Sequence, residues 1–167
     1  MRFRRLTPDE FEEFQVPFVQ FLATNGVDSA MWENIKRTDK AQMDKLMDEF
    51  SDVAMLKSLK AVKTLENKIK SSWILLRFTE AWAFMVNIES HNWKETNLLE
   101  LSLEDIFHDD KHLKNIEVQH GRKAYPPNKR EDEIFKNLAT GGVWLGDDDL
   151  FDALWEAFEF EKHYRFN

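Results

Sequence analysis

Residues 72–88 read SWILLRFTEAWAFMVNI, and this stretch decides the fold class. Trp73 to Phe78 and Trp82 to Ile88 are two short runs rich in aromatic, aliphatic and β-branched residues, joined by Thr79-Glu80-Ala81. Apolar runs of this length with a short connection between them are typical of a β-hairpin. We therefore predict an antiparallel hairpin near residues 72–89.

A third strand is predicted further along the chain. Ile116, Val118 and His120 alternate with polar residues, and Gly121 follows them. Alternation with a period of two indicates a strand, so we expect one near residues 115–121 and a small antiparallel sheet of about three strands. Residues 98–103 are interpreted either as a further strand or as an extended segment before a helix that Ser102 caps.

Helical patterns fill the chain before the hairpin. Residues 7–10, Thr-Pro-Asp-Glu, have the composition of a capping box with proline at the first helical position, and Pro17 is expected to kink the helix that follows. A short helix is predicted near residues 28–35. Apolar residues at helical spacing then continue to Ile69, which predicts either one helix over residues 40–70 or two helices with a break near residues 50–52; we favour the break.

Two more helices are predicted after the sheet. One covers residues 129–139 and is stopped by Gly141-Gly142, and the other is capped near Asp147 and has Phe158 on its apolar face. Helices before and after a small antiparallel sheet make the predicted fold class α+β. No repeat or linker is visible, so residues 1–167 are predicted to be a single globular domain.

The composition narrows the possible functions. The chain of 167 residues contains no cysteine, which excludes disulfides, thiol nucleophiles and thiolate metal sites. Its net charge of −8 disfavours general binding to nucleic acid. No apolar stretch approaches the roughly 20 residues of a membrane helix, and no apolar run follows the basic N-terminus as in a signal peptide. We therefore expect a cytoplasmic protein without a membrane partner.

The first candidate site is a pair of histidines. His108 and His112 are four residues apart, so on a helix they point the same way, and with Asp109 they could bind zinc or another divalent ion. The alternative is a solvated helix end, and the general-base glutamate of the His-Glu-x-x-His pattern is missing. The acidic run at residues 147–149 could also bind magnesium or calcium, but helix caps are the commoner role of such residues. No cofactor is predicted.

The second candidate is a basic loop. Arg122, Lys123, Lys129 and Arg130 surround Tyr125 and could contact the phosphates and bases of a nucleic acid. Because the next helix opens with acidic residues 131–133, a solvated loop is the alternative, as is a face that pairs with the acidic C-terminal region.

The third candidate is a protein-binding surface. Tryptophan is enriched at binding hot spots, and two tryptophans lie in polar or glycine-rich segments. The candidate residues on these segments and on the last helix are Trp93, Trp144, Leu150, Phe151 and Trp155. Phosphate-binding glycine loops and the Gly-x-Ser-x-Gly elbow are absent from the sequence.

Several short segments resemble a family of small acidic bacterial proteins known only as a domain of unknown function. They are Arg4-Arg5-Leu6-Thr7, Phe18-Val19-Gln20-Phe21-Leu22-Ala23, Trp32-Glu33-Asn34-Ile35-Lys36 and Phe50-Ser51-Asp52. The similarity is clearest over residues 2–66, with looser matches at Arg130, Ile134-Phe135 and residues 150–154. The resemblance implies a compact cytoplasmic bacterial domain, and it transfers no activity or site.

Three functions follow as hypotheses. The first is a non-enzymatic protein-binding or regulatory domain that binds another protein or itself, because the helices are rich in aromatic residues and the charge is unevenly distributed. The second is a metal-dependent hydrolase that uses His108, Asp109 and His112. The third is nucleic-acid binding through the basic loop.

Overall fold

The chain folds into helices that precede and follow an antiparallel sheet, which confirms the predicted α+β class. The computed structural model describes residues 2–165, with every side chain in that range except those of residues 158 and 160–165. The backbone divides into two compact units, one that ends at Ala61 and one that begins at Val62. Because compactness does not show whether the two unfold together, a single domain over residues 1–167 stays a prediction.

The unit before Val62 contains α1 (Pro8–Glu13), α2 (Gln15–Thr24), α3 (Ser29–Thr38) and α4 (Lys40–Ala61). The predicted capping box is present, since Thr7 and Glu10 each accept a hydrogen bond from the backbone N–H of the other. The helix is interrupted at Phe14 rather than at Pro17, where the sequence predicts a kink. Pro17 falls in the first turn of α2, where backbone N–H groups have few intrahelical acceptors to lose.

The core of this unit is aromatic. Phe50 on α4 is buried, and the rings of Phe11 and Phe18 meet it edge-on at centroid distances of 5.5 and 5.0 Å. Such pairs contribute about 0.5–1.5 kcal/mol each beyond the burial of their area. The aromatic residues of α1 and α2 therefore form the face that packs on α4.

A break near residues 50–52 is wrong, because α4 is continuous across them. Ser51 and Asp52 bind the segment before α1 instead of capping a new helix. Ser51 Oγ accepts a hydrogen bond from the Leu6 N–H at 3.2 Å, and the Asp52 carboxylate accepts one from the Phe3 N–H at 2.9 Å. These two polar residues therefore make long-range contacts and do not end a helix.

The apolar helical pattern overestimates the length of α4. The helix ends at Ala61, and strand β1 (Thr64–Lys68) follows it. Leu65 continues the helical spacing, yet its side chain is fully buried in the sheet. The pairing of β1 with strands elsewhere in the chain overrides the local helical propensity, and a pattern of neighbouring residues cannot predict that pairing.

The sheet has five antiparallel strands rather than about three. The predicted hairpin forms β2 (Ser72–Phe78) and β3 (Trp82–Ser90), and the predicted third strand is β4 (Ile116–Ala124). The order is β4-β3-β2-β1-β5, where β5 (Trp144–Leu145) pairs with β1. After β5, a Cβ on Gly146 would lie 2.9 Å from Thr64 Cγ2, so glycine permits the close approach to β1.

Helices lie on both faces of the sheet. They are α5 (Leu103–His108), α6 (Asp110–Leu113), α7 (Arg130–Ala139) and α8 (Asp148–Arg165). On one face, Leu75, Val86 and Ile88 form a buried cluster with Ile106 of α5 and Phe151 of α8; we call it the α8 face. The opposite face adjoins α7, and we call it the α7 face.

Two helix caps that the sequence predicts after the hairpin are present in the structure. Ser102 and Asp105 form a capping box at α5, and Asp147 accepts the N–H groups of Asp149 and Leu150 at 2.8 and 3.1 Å. Residues 98–102 are not a strand but lead into α5, and a second cap at Asp109 divides the expected helix into α5 and α6. The predicted apolar position Phe158 lies outside the described side chains.

None of the helices in residues 2–165 combines the length and the apolar composition that crossing a bilayer would require.

Candidate functional site

The α7 face of the sheet contains a cavity of about 440 Å³. Its floor consists of side chains from β2 and β3, among them Leu76, Phe78 and Met85, and one wall is α7. The strand register explains the floor, because Leu76 pairs with Met85 and both therefore point to the same face. Binding sites for small molecules usually measure about 300–1,000 Å³ and are mostly apolar, so the cavity has a suitable size and lining.

Gly121 lies at the β4 side of this floor. It pairs with Met85, and a Cβ added to it would point at Met85 Cε at a distance of 3.5 Å. A glycine inside a strand weakens the strand and often marks a place where another group comes close. We predicted Gly121 as the end of the strand, and that is wrong, because β4 continues to Ala124. The isolated glycine was the one sequence signal that could have indicated the cavity.

The rim of the cavity carries more cations than anions. Arg122, Lys123 and Lys136 line it together with the single carboxylate Glu133. Lys123 forms an ion pair with Glu133 at 3.1 Å, and the Arg122 guanidinium lies 5.1 Å from the centre of the Trp82 ring. In the part of the chain that the structure describes, Glu133 is thus paired with Lys123, and Lys136 has no carboxylate at ion-pair distance.

The predicted metal-site residues lie at a different place, on α5 and α6. His108 Nδ1 is 3.0 Å from the backbone oxygen of Glu104, and His112 Nδ1 is 3.1 Å from Thr96 Oγ1. Asp109 Oδ2 is 4.0 Å from His112 Nε2, and its other carboxylate oxygen accepts the Lys111 N–H as the cap of α6. Among the described residues, no group of three histidine or carboxylate side chains is arranged to hold a metal ion.

The predicted nucleic-acid residues are not all in a loop. Arg122 and Lys123 lie on β4, while Lys129 precedes α7 and pairs with Asp132 at 2.8 Å. Arg130 pairs with Glu131 at 3.3 Å and also donates a hydrogen bond to the Val62 carbonyl. Lys123, Lys129 and Arg130 are therefore each paired with an acidic residue of the first turn of α7.

Tyr125, the aromatic residue of the same stretch, is buried. Its hydroxyl donates a hydrogen bond to the backbone oxygen of Thr79 and lies 3.2 Å from that of Trp82, so it holds the connection between β2 and β3. Burial raises the pKa of Tyr125 above its usual value. The ring therefore supports the hairpin and is not presented to solvent.

The predicted protein-binding residues fall into two groups. Trp93 and Trp144 are 45% and 72% exposed, and Trp144 lies on β5 rather than in a loop. Phe151 is 3% exposed in the core of the α8 face, and Leu150 and Trp155 are partly buried against it. Trp93 and Trp144 are therefore exposed enough to contact a partner, whereas Phe151 is part of the buried core.

The outer edge of β4 is the second feature of interest. His91 N–H donates to the Asn115 oxygen just before β4, and Tyr125 N–H donates to the Ala81 oxygen just after it. Antiparallel pairs alternate between hydrogen-bonded and non-hydrogen-bonded positions, so the odd-numbered residues of β4 bond to β3. The backbone N–H and C=O groups of the even-numbered residues, from Ile116 to Ala124, point away from β3.

Comparison with known proteins identifies a family whose function is unknown. A family model described as "Family of unknown function (DUF6495)" matches residues 1–159, so the chain belongs to that family. This confirms the resemblance to an uncharacterised family. No curated protein and no solved structure matches the chain.

Proposed function

We propose that this member of a family without an assigned activity is a non-enzymatic protein-binding domain, and that it binds a second copy of itself through the outer edge of β4. The observation that best supports the proposal is the length of that edge. β4 is an edge strand of nine residues, and strands of about five to six are usual. A long edge offers a row of backbone donors and acceptors to another chain.

One antiparallel register uses the whole of this edge. Only even-numbered residues of β4 have outward backbone groups, so even-numbered residues must pair with even-numbered residues. A two-fold axis at His120 pairs Ile116 of each copy with Ala124 of the other and includes every residue of the strand. A shift to the next allowed register leaves residues without a partner at the strand ends.

The charges of the edge are complementary in this register. Glu117 of one copy lies opposite Lys123 of the other, and the two-fold axis repeats the pair. Both side chains are accessible, with 51% of Glu117 and 65% of Lys123 exposed. A parallel arrangement in register would instead place Glu117 opposite Glu117 and Lys123 opposite Lys123. The charges that usually protect an edge strand therefore oppose that arrangement and favour the antiparallel one.

The first test exchanges these charges. Sedimentation equilibrium over a concentration series should show a monomer–dimer equilibrium. Glu117→Lys should weaken it about tenfold, because two like-charge pairs replace two opposite-charge pairs, each worth up to about 1 kcal/mol. Lys123→Glu should act in the same way, and the double variant should restore most of the association. Glu80→Lys, an equal charge change on the exposed connection between β2 and β3, is the matched control.

The second test measures the register. The chain contains no cysteine, so Ala124→Cys gives a single site for a nitroxide label. The proposed register places the two Ala124 Cα atoms about 27 Å apart, and the neighbouring registers place them at about 20 or 34 Å. A strict monomer at every concentration, or a dimer that ignores the charge exchange and gives another distance, would overturn the proposal.

A further inference from the structure

We infer that the cavity on the α7 face binds a small amphipathic carboxylate, a molecule with an apolar body of roughly decanoate size and one anionic head group. This goes beyond self-association: it rests on the cavity lining, which shares Lys123 with the proposed dimer but has its assigned cation, Lys136, on α7. The inference follows from the lining of the cavity, from its charge, and from the residue at its floor.

The lining fits an apolar body. Leu76, Phe78, Ala83 and Met85 supply carbon surface from two adjacent strands, and the volume of about 440 Å³ is at the lower end of the range for small-molecule sites. Removing this surface and an alkyl chain from water together is favourable, and the gain increases with each methylene group buried. The apolar part of the ligand therefore supplies affinity but little selectivity.

The charge of the rim selects the head group. Three cationic side chains and one carboxylate line the cavity, in a chain whose net charge is −8. Lys123 is already paired with Glu133, so Lys136 on α7 is the cation that we assign to the ligand carboxylate. Asn137, one residue further along α7, also lines the cavity and can add a hydrogen bond to the same group. A cationic head group would meet an excess of like charge here.

Gly121 at the floor explains why this part of the cavity is not filled by a side chain. Gly121 has no side chain where a Cβ would point toward Met85, and its backbone φ lies outside the left-handed region. A valine at this position therefore suits the strand backbone and occupies part of the cavity. Gly121→Val thus blocks the site sterically, while a change at Lys136 removes only the charge.

The experiment compares three probes of equal chain length: decanoate, decanol and decylamine, each below its aggregation concentration. Isothermal titration should show saturable binding of decanoate, with decanol about tenfold weaker, which is the effect of one charge-assisted hydrogen bond. Lys136→Met should reduce decanoate binding to the level of decanol and leave decanol unchanged. Lys94→Met, another exposed lysine of the same unit, is the matched control.

The steric variant completes the test. Gly121→Val should abolish binding of both decanoate and decanol, and Lys136→Met provides an independent readout if the valine variant fails to fold. The same titration with Glu117→Lys should give unchanged decanoate binding, which separates this site from the proposed dimer. The inference is overturned if decanoate does not saturate, if decylamine binds as well as decanoate, or if folded Gly121→Val retains the binding.

Discussion

Glu10 connects a sequence motif to the pH dependence of stability. Its carboxylate accepts the Thr7 N–H in the capping box and also binds both terminal nitrogens of Arg4, at 2.7 and 2.6 Å. The hydrogen bond from Arg4 is the largest cause that lowers the pKa of Glu10 to about 2, and the Thr7 N–H adds to it. Folding therefore favours the ionised form of this side chain.

We predict that Glu10→Gln destabilises the chain by about 1 kcal/mol at pH 7, the usual value of a capping contact. The folded pKa is below the unfolded value of about 4.3, so the stabilisation is complete above that value and is lost as the pH falls through about 2. Urea unfolding of both chains between pH 7 and pH 2 measures this. Glu13→Gln, on the exposed side of the same helix, is the control. A difference that does not change with pH would contradict the assignment.

At the scale of the element, Phe151 and Trp155 of α8 and Arg77 of β2 connect α8 to the sheet. Phe151 stacks on Trp155 with ring centres 5.9 Å apart, and the Arg77 guanidinium of β2 lies 5.0 Å from the centre of the Phe151 ring. Arg77 also binds Asp152 at 2.8 Å. The first two turns of α8 therefore contact the sheet through aromatic and charged side chains.

We predict that Phe151→Ala lowers the free energy of unfolding by about 3–5 kcal/mol, because it removes a buried aromatic side chain and leaves a cavity. Glu156→Ala on the exposed side of α8 should change it by less than about 0.5 kcal/mol. Denaturant unfolding measures both. If Phe151→Ala is as stable as the original chain but loses association, Phe151 is a binding residue, as the sequence suggested.

At the scale of the whole molecule, each of the two units contains a cluster of buried apolar residues. One cluster contains Phe18, Leu46 and Phe50 and draws all its members from residues 6–54, and the other contains Leu75, Ile88 and Phe151 and draws its members from residues 73–151. Each unit therefore has an apolar core of its own, which is the basic requirement for folding independently.

This arrangement predicts that damage to one core stays local. Phe50→Ala should cost about 3–5 kcal/mol in its own unit and reduce amide protection in α1 to α4, while β2 and β3 retain theirs. Hydrogen exchange followed by mass spectrometry resolves the two sets of peptides. Equal loss of protection in both sets would show that they unfold together and would support the single-domain prediction.

The sequence did not predict the cavity or the β4 edge, and the physical reason is the same for both. Leu76, Met85, Gly121 and Lys136 are far apart in the chain, and only the strand register and the position of α7 bring them together. The same holds for Glu117 and Lys123, whose common face depends on β4 continuing past Gly121. Two of the sites predicted from sequence, the histidine pair and the basic loop, were instead groups of residues that lie close together in the chain.

The sequence by itself determined the α+β class, the central hairpin and the helix caps at Thr7, Ser102 and Asp147. These features depend on residues within a few positions of one another, so their physical causes are present in a short stretch of chain. Only the tertiary structure decided that residues 64–68 form a strand, that β5 pairs with them, and that α4 continues through residues 50–52. Strand pairing and burial depend on partners distant in sequence, and these partners override local propensity where the two disagree.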